Sequence, residues 1–181
     1  SIDSVKVKGL VDLWKSDTIG IKKLETNFKR LIFDAGYSVV IALKYDNSDE
    51  EKTYFYNIFG DAVTYQDSFR SDFSTYRAID RSRLSLTGIS TCAAEALGIG
   101  RRALFVNSLG YSGYRVKSAG FCYLEEPDYD ALKNRIAHIL SMSDNDYDEA
   151  MVNERKLLMN YDLNELPHQK IRRDILKALN D

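Results

Sequence analysis

The segment at residues 86–107 (LTGISTCAAEALGIGRRALFVN) places hydroxyl and carboxyl groups at the start of a predicted helix. Gly88 permits a tight turn and a close approach of the backbone to a ligand. Ser90 and Thr91 then open the helix, whose free N–H groups and positive dipole end favour an anion such as phosphate. Glu95 follows Thr91 by about one helical turn, and a carboxylate accepts hydrogen bonds well from a vicinal diol such as ribose. The residue types therefore fit a nucleotide.

The same residues also have a purely structural interpretation. A serine at a helix N-cap stabilises the helix by about 1 kcal/mol without any ligand. A glutamate near the helix start gains from the dipole in the same way. The segment matches neither the GxGxxG fingerprint nor the P-loop lysine motif, so those two phosphate sites are not indicated. Spacing alone leaves the nucleotide site and the helix cap as alternatives.

Loops at the carboxyl ends of parallel strands are where ligands of such sheets bind. Four short loops are predicted there, at residues 44–46, 66–68, 87–91 and 107–110. They add Lys44, Asn107 and Ser108 to the candidate nucleotide-binding residues, although a lysine at a strand end is more often simply solvated. The loop at 111–115 (YSGYR) either closes over a sugar or a nucleotide, using its aromatic rings, or forms a surface turn.

These loops are positioned by elements that the hydrophobic pattern predicts. Strands are predicted at 37–46, 62–67, 83–89, 102–107 and 119–126, with residues 1–14 as a strand or irregular. Helices are predicted at 20–36, 48–61, 68–82, 90–100, 127–142, 143–162 and 166–180. The first of these strands is almost entirely apolar through Leu43, which is typical of a strand buried on both faces. The helix at 68–82 is amphipathic, with an apolar face of Phe69, Phe73, Tyr76 and Ile79.

Apolar strands that alternate with helices predict a parallel sheet covered on both faces. We therefore expect an α/β fold with a doubly wound parallel sheet of the Rossmann-like type. The chain of 181 residues is long enough for one domain with a full core. Residues 1–181 are accordingly predicted to form a single Rossmann-like domain with extra helices at its C-terminal end.

Composition and the types and positions of a few residues argue against several classes of function. A net charge of −2 and a pI near 5.8 argue against a nucleic-acid partner. No apolar run is long enough for a membrane span, and no signal peptide is visible. Cys92 and Cys122 fit neither a disulfide framework nor a zinc site, so we interpret them as reduced core residues. His138 and His168 have no partner cluster, and no metal site is expected. The acidic run 144–149 is interpreted as a helix N-terminal cluster.

The segment STCAAEALGIGRRALFVN resembles the donor-binding segment of GT-B glycosyltransferases and of the related UDP-N-acetylglucosamine 2-epimerases. In those families a hydroxyl or small-residue turn precedes a helix that carries a glutamate. A glycine follows five residues later, then a short basic link and a strand. Glu95, Gly100, Arg101-Arg102 and residues 103–106 stand at that spacing. The resemblance extends weakly over residues 20–160, and its flanks are like those of bacterial surface-polysaccharide transferases.

The resemblance implies a donor-nucleotide domain. It makes Glu95 the ligand of the ribose hydroxyls and Gly88, Ser90 and Thr91 the phosphate ligands. The intact enzyme would transfer a sugar from a nucleotide-sugar donor to a growing glycan, as in polysaccharide or lipopolysaccharide assembly. It would need no metal or other cofactor, because the nucleotide-sugar is its substrate. We expect a cytoplasmic enzyme, and the resemblance is compatible with peripheral attachment at the inner face of the membrane.

Several departures from the family pattern bear on the assignment. GT-B enzymes have two Rossmann-like domains, and this chain has the length of the C-terminal one only. Ser1 in place of methionine supports a fragment whose N-terminal acceptor domain is missing, and which by itself would be inactive. The catalytic residues are then unknown, and the paired glutamates of retaining enzymes are absent. Two alternatives stay open: a non-catalytic Rossmann-like module for assembly or partner binding, and a nucleotide-sugar epimerase-like protein.

Overall fold

Helices and parallel strands alternate along the chain, as the hydrophobic pattern predicts. The computed structural model describes residues 18–46, 49–68, 73–88, 90–108, 110, 116–158 and 167–180. The strands are β1 Val40–Asp46, β2 Thr64–Ser68, β3 Ser85–Thr87, β4 Ala103–Asn107 and β5 Tyr123–Glu125. The helices are α1 Thr18–Ala35, α2 Asp49–Phe59, α3 Ser74–Arg81, α4 Cys92–Gly98, α5 Tyr129–Ser141, α6 Asp144–Leu158 and α7 Pro167–Asn180. Two 3₁₀ segments, Gly60–Ala62 and Lys117–Cys122, precede β2 and β5.

The strands form two small sheets, both of them parallel. β1 pairs with β2, with Val40 opposite Thr64. The other sheet has the order β3-β4-β5, with Thr87 opposite Phe105 and Phe105 opposite Tyr123. The α/β class and the parallel pairing are therefore confirmed. Within the described residues the five strands are not joined into one hydrogen-bonded sheet, so the single doubly wound sheet stays a prediction.

The main core lies around the three-stranded sheet. The strand predicted at 102–107 is confirmed as β4, and every one of its residues is buried, so this strand is covered on both faces. Apolar side chains of α4, α5 and α6 pack against it, and the fully buried ones include Leu97, Leu132, Ile139 and Met151. A smaller core of Ile32, Phe59 and Val63 lies beside β1 and β2. Phe28 of α1 packs against both cores and so links the two sheets.

The prediction that β1 is buried on both faces is wrong. Leu43 is 3% exposed, but Val40 is 47% exposed, and exposure alternates along the strand. This is the pattern of a strand with one covered face. The run of apolar residues did not reveal which face of β1 is exposed, because the residue type of a valine does not show whether its side chain is buried.

Helix ends follow the local signals closely. α1 stops at Ala35, and Gly36 has the positive φ of 68° that a glycine adopts easily. Asp128 caps α5 by accepting a hydrogen bond from the Ala131 N–H at 2.8 Å. The acidic run at 144–149 does open α6, as predicted. Residues 1–14 and the 111–115 loop lie outside the described residues.

The C-terminal end of α5 is held by two arginines, Arg83 and Arg102, which precede β3 and β4. The guanidinium of Arg102 donates to the carbonyl oxygens of Ile139 at 2.7 Å and Met142 at 2.8 Å. Arg83 donates to the carbonyl of Leu140 at 3.2 Å. These carbonyls have no partner within the helix, so the arginines supply the missing donors. α5 is thereby attached to the amino ends of β3 and β4.

Among the residues that the structure describes, no helix is both long enough and apolar enough to cross a membrane.

Candidate functional site

The turn between β3 and α4 is held together by its own hydroxyl groups. The Ser90 N–H donates to Thr87 Oγ1 at 3.2 Å, and Ser90 Oγ accepts from the Cys92 N–H at 3.3 Å. The predicted position of Ser90 near the N-cap is thus confirmed. α4 has only seven residues, Cys92–Gly98, which is shorter than the predicted 90–100. A helix of two turns has few aligned peptide dipoles, so the field at its N-terminus is weaker than expected.

Glu95 is held by a hydroxyl group at each carboxylate oxygen. Tyr76 Oη donates to Oε2 at 2.6 Å, and Thr91 Oγ1 donates to Oε1 at 3.2 Å. The contact with Thr91 is the one-turn pairing that the sequence spacing predicts. The hydrogen bond to Glu95 is also the largest cause that raises the pKa of Tyr76 to about 12. The carboxylate is half-buried and has one defined orientation at the carboxyl end of β3.

The role of Tyr76 was missed by the sequence analysis, together with that of Phe73. Both were assigned to the apolar face of a helix at 68–82, but α3 begins at Ser74. Phe73 precedes it with φ 49° and ψ 36°, and its ring is 68% exposed. The rings of Phe73 and Tyr76 lie 6.3 Å apart in a tilted arrangement. The only sequence signal was an aromatic pair three residues apart, and this is equally typical of a helix core face.

Gly88 has more space around it than the prediction of a tight turn implies. Its φ is not in the positive range, and a Cβ at this position would meet the Val106 carbonyl oxygen at an ordinary 3.7 Å. The fold therefore tolerates a side chain at Gly88. A requirement for glycine there would have to come from a ligand that approaches the backbone.

The other three candidate residues lie outside the turn between β3 and α4. Asn107 ends β4 but is 1% exposed, and its Nδ2 donates to the Tyr123 hydroxyl at 3.2 Å. Ser108 follows it and is half-buried. Lys44 is exposed on β1, which belongs to the other sheet. The structure thus brings Gly88, Ser90, Thr91 and Glu95 together, with Asn107 and Ser108 on the adjacent strand end.

Another carboxylate lies at the same edge of the sheet. Glu126 follows β5 with φ 44°, an uncommon value for a residue other than glycine. Its N–H donates to the Asn107 carbonyl at 2.8 Å, and its carbonyl accepts from Lys23 Nζ at 3.1 Å. The carboxylate packs over Gly110, where an added Cβ would come within 2.6 Å of Glu126 Oε2. The flexible, exposed Glu126 side chain could move aside for a Cβ, so it is the positive φ of 61° that favours glycine at position 110.

A polar groove of about 570 Å³ lies at the opposite, amino edge of β3 and β4. Its charged side chains include Asp80, Arg101, Arg102 and Asp144. Arg101 pairs with Asp80, and Arg102 pairs with Asp144 at 2.7 Å. Because these charges satisfy each other and hold α5 and α6 in place, we assign the groove a structural role.

Within the described part of the chain, the cysteines and histidines have structural positions and form no candidate site. Cys92 and Cys122 are both free, and Cys122 is fully buried, where burial raises the pKa of its thiol to about 11. The His138 ring packs edge-on against Phe121 with centroids 5.9 Å apart. His168 lies on α7. Across the described ranges, no group of three or more His, Cys, Asp or Glu residues is arranged to hold a metal ion.

Comparison with known proteins identified no relative: no protein-family model, no curated protein and no solved structure matches this chain.

Proposed function

We propose that this chain is the donor-nucleotide domain of a GT-B-like glycosyltransferase, which transfers a sugar from a nucleotide-sugar to a growing glycan. One observation carries the proposal. Glu95 lies at the carboxyl end of β3, and hydroxyl groups of Tyr76 and Thr91 fix its two carboxylate oxygens. This is the edge of a parallel sheet where ligands bind.

The orientation of Glu95 suits recognition of a vicinal diol. A carboxylate offers about four lone-pair positions on its two oxygens, and the protein hydroxyls use two of them. One lone pair on each oxygen remains for the 2′- and 3′-hydroxyls of a ribose. Because Tyr76 and Thr91 already hold the carboxylate in place, little side-chain entropy would be lost when the diol binds.

The neighbouring groups fit the rest of a nucleotide. The exposed hydroxyl of Ser90 and the open backbone at Gly88 provide donors for phosphate oxygens. The hydroxyl of Thr91 has only one proton, which it donates to Glu95, so Thr91 contributes by holding that carboxylate. The exposed ring of Phe73 beside Tyr76 offers a surface on which a base can stack. Since α4 is short, we assign phosphate binding to these hydroxyl and N–H donors rather than to a helix dipole.

The wider parts of the proposal rest on the resemblance of residues 90–107. They are a partner acceptor domain, a glycan acceptor, a role in surface-polysaccharide assembly and a location in the cytoplasm at the inner face of the membrane. In such an enzyme this domain contributes positioning of the donor and stabilisation of the departing phosphate. The groups that carry out proton transfer would come from the other domain.

The test is a calorimetric titration of the chain with CMP, UDP and GDP and with their sugar conjugates. Glu95→Gln removes the charged acceptor and should weaken binding of the preferred nucleotide by about 10- to 100-fold, since hydrogen bonds to charged groups contribute about 1.5–3 kcal/mol. Glu149→Gln is the matched control, because Glu149 is an exposed glutamate on α6. The Glu149→Gln variant should bind the preferred nucleotide with the same affinity as the unmodified chain.

Gly88→Ala gives a second, independent test. The fold has room for the methyl group, so the melting temperature should not fall, whereas a nucleotide that touches this backbone should lose affinity. Nucleotide binding that survives both Glu95→Gln and Gly88→Ala would refute the proposed site. If the chain binds no nucleotide, either alone or together with the proposed acceptor domain, the glycosyltransferase proposal fails and the assembly-module alternative is favoured.

A further inference from the structure

The last helix, α7, exposes its apolar side chains throughout residues 169–179. Residues 169–179 are all exposed, and the structure buries none of them. Ile171 is 60% exposed, Ile175 54% and Leu179 76%. An isolated helix of 14 residues is only marginally stable in water, so a surface that covers these side chains would stabilise it.

The apolar residues of α7 form one continuous stripe. Ile171, Ile175 and Leu179 follow each other at intervals of four residues, which places them on the same side of a helix. Ala178 borders this stripe beside Ile171, and Leu176 lies apart from it, on the far side of Arg172. The stripe is wider than the narrow seam of a coiled coil, and α7 is too short for the three or more heptads that a coiled coil needs.

Basic residues occupy the other side of the same helix. Lys170, Arg173 and Lys177 lie opposite the stripe, and Arg172 lies at its border. Asp174 is the only acidic residue between 167 and 180, so this segment has a net charge of +3 in a chain whose net charge is −2. The positive charge is concentrated where the apolar stripe is exposed.

We infer that α7 binds the surface of a membrane that contains anionic lipids, with its apolar stripe among the acyl chains and its basic residues at the head groups. A helix with an apolar face, Lys and Arg on the polar face and low overall hydrophobicity has the properties of an interfacial helix. A neutral apolar partner would account for the stripe but not for the excess of positive charge. This inference does not depend on the proposed nucleotide site.

The test is co-sedimentation of the full chain with vesicles of equal parts phosphatidylglycerol and phosphatidylcholine, and with vesicles of phosphatidylcholine alone. The double variant Ile175→Asp/Leu179→Asp should bind the anionic vesicles at least about tenfold more weakly, because burial of the apolar stripe is lost. Replacing Lys170 and Lys177 by glutamine should weaken binding about fivefold per charge. The matched control is Leu157→Asp, which changes an aliphatic residue of α6 that is 73% exposed. It should bind as the unmodified chain does, within about threefold.

Added salt should weaken the binding to anionic vesicles, because it screens surface charge. The inference is overturned if the chain binds neither kind of vesicle, if it binds both equally well, or if the double variant binds like the unmodified chain. It is also overturned if sedimentation velocity shows a dimer that the double variant abolishes while vesicles are not bound. A second copy of the chain would then be what covers the stripe. Unchanged thermal unfolding of all variants controls for folding.

Discussion

Replacement of Arg102 by methionine should destabilise the protein far more than the same change at its neighbour Arg101. The Arg102 side chain is 12% exposed and donates to the carbonyl oxygens of Ile139 and Met142 and to the carboxylate of Asp144. Among the described residues Arg101 pairs with Asp80 alone, and their side chains are 47% and 63% exposed. The two arginines are adjacent in the sequence, so they form a matched pair.

The size of the effect follows from these contacts. The two carbonyl groups lie at the C-terminal end of α5 and accept hydrogen bonds from a charged donor, each contributing about 1.5–3 kcal/mol. The bond to Asp144 adds little, since that carboxylate is 93% exposed. Allowing for desolvation of the guanidinium, we expect Arg102→Met to cost about 2–4 kcal/mol. Arg101→Met removes an exposed ion pair and should cost about 0–1 kcal/mol.

Urea denaturation followed by circular dichroism measures both values. With a slope of about 2 kcal/mol per molar urea, the midpoint should shift by about 1–2 M for Arg102→Met and by less than about 0.5 M for Arg101→Met. Methionine keeps most of the aliphatic volume, so loss of packing contributes little. Equal shifts for the two variants would refute the assignment of Arg102 as the group that holds α5 against β4.

Four further outcomes are expected. A thiol reagent should modify Cys92 in the native protein but reach Cys122 only after unfolding, because Cys122 is buried and its thiol pKa is about 11. Glu95→Gln should lower the pKa of Tyr76 from about 12 towards 10.0, as measured by NMR of labelled tyrosine. In the unmodified protein the stability due to the raised pKa of Tyr76 is complete below pH 10 and is lost as pH rises to 12. Asp128→Ala should cost about 1 kcal/mol in thermal unfolding through loss of the α5 cap.

The features that the sequence predicted correctly depend on near neighbours. The end of α1 just before Gly36 and the contact of Thr91 with Glu95 each involve residues within four positions of one another. The helix predicted to begin at Pro127 begins two residues later, at Tyr129. Helix geometry and capping determine such relations, and these are the same in any fold. The alternation of strands and helices likewise predicts parallel pairing without knowledge of the packing.

The features that were missed involve residues far apart in the chain. Tyr76 reaches Glu95 across 19 positions, and the Glu126 carboxylate packs over Gly110 from a different strand end. Asn107 was a reasonable ligand at the end of β4, but the link to Tyr123 and burial in the core remove its side chain from the surface. A sequence pattern shows the types of these residues, but it does not show which neighbouring residues form hydrogen bonds with them.

The sequence by itself determined the α/β class, the placement of a hydroxyl-rich turn after β3 and the position of Glu95 one turn into α4. Only the tertiary structure decided that α3 starts at Ser74, so that Phe73 and Tyr76 lie outside the core. The tertiary structure also decided that only one face of β1 is covered and that residues 169–179 of α7 are all exposed. The reason is that the burial of a segment depends on which other elements pack against it, and the residue types of the segment do not specify those elements.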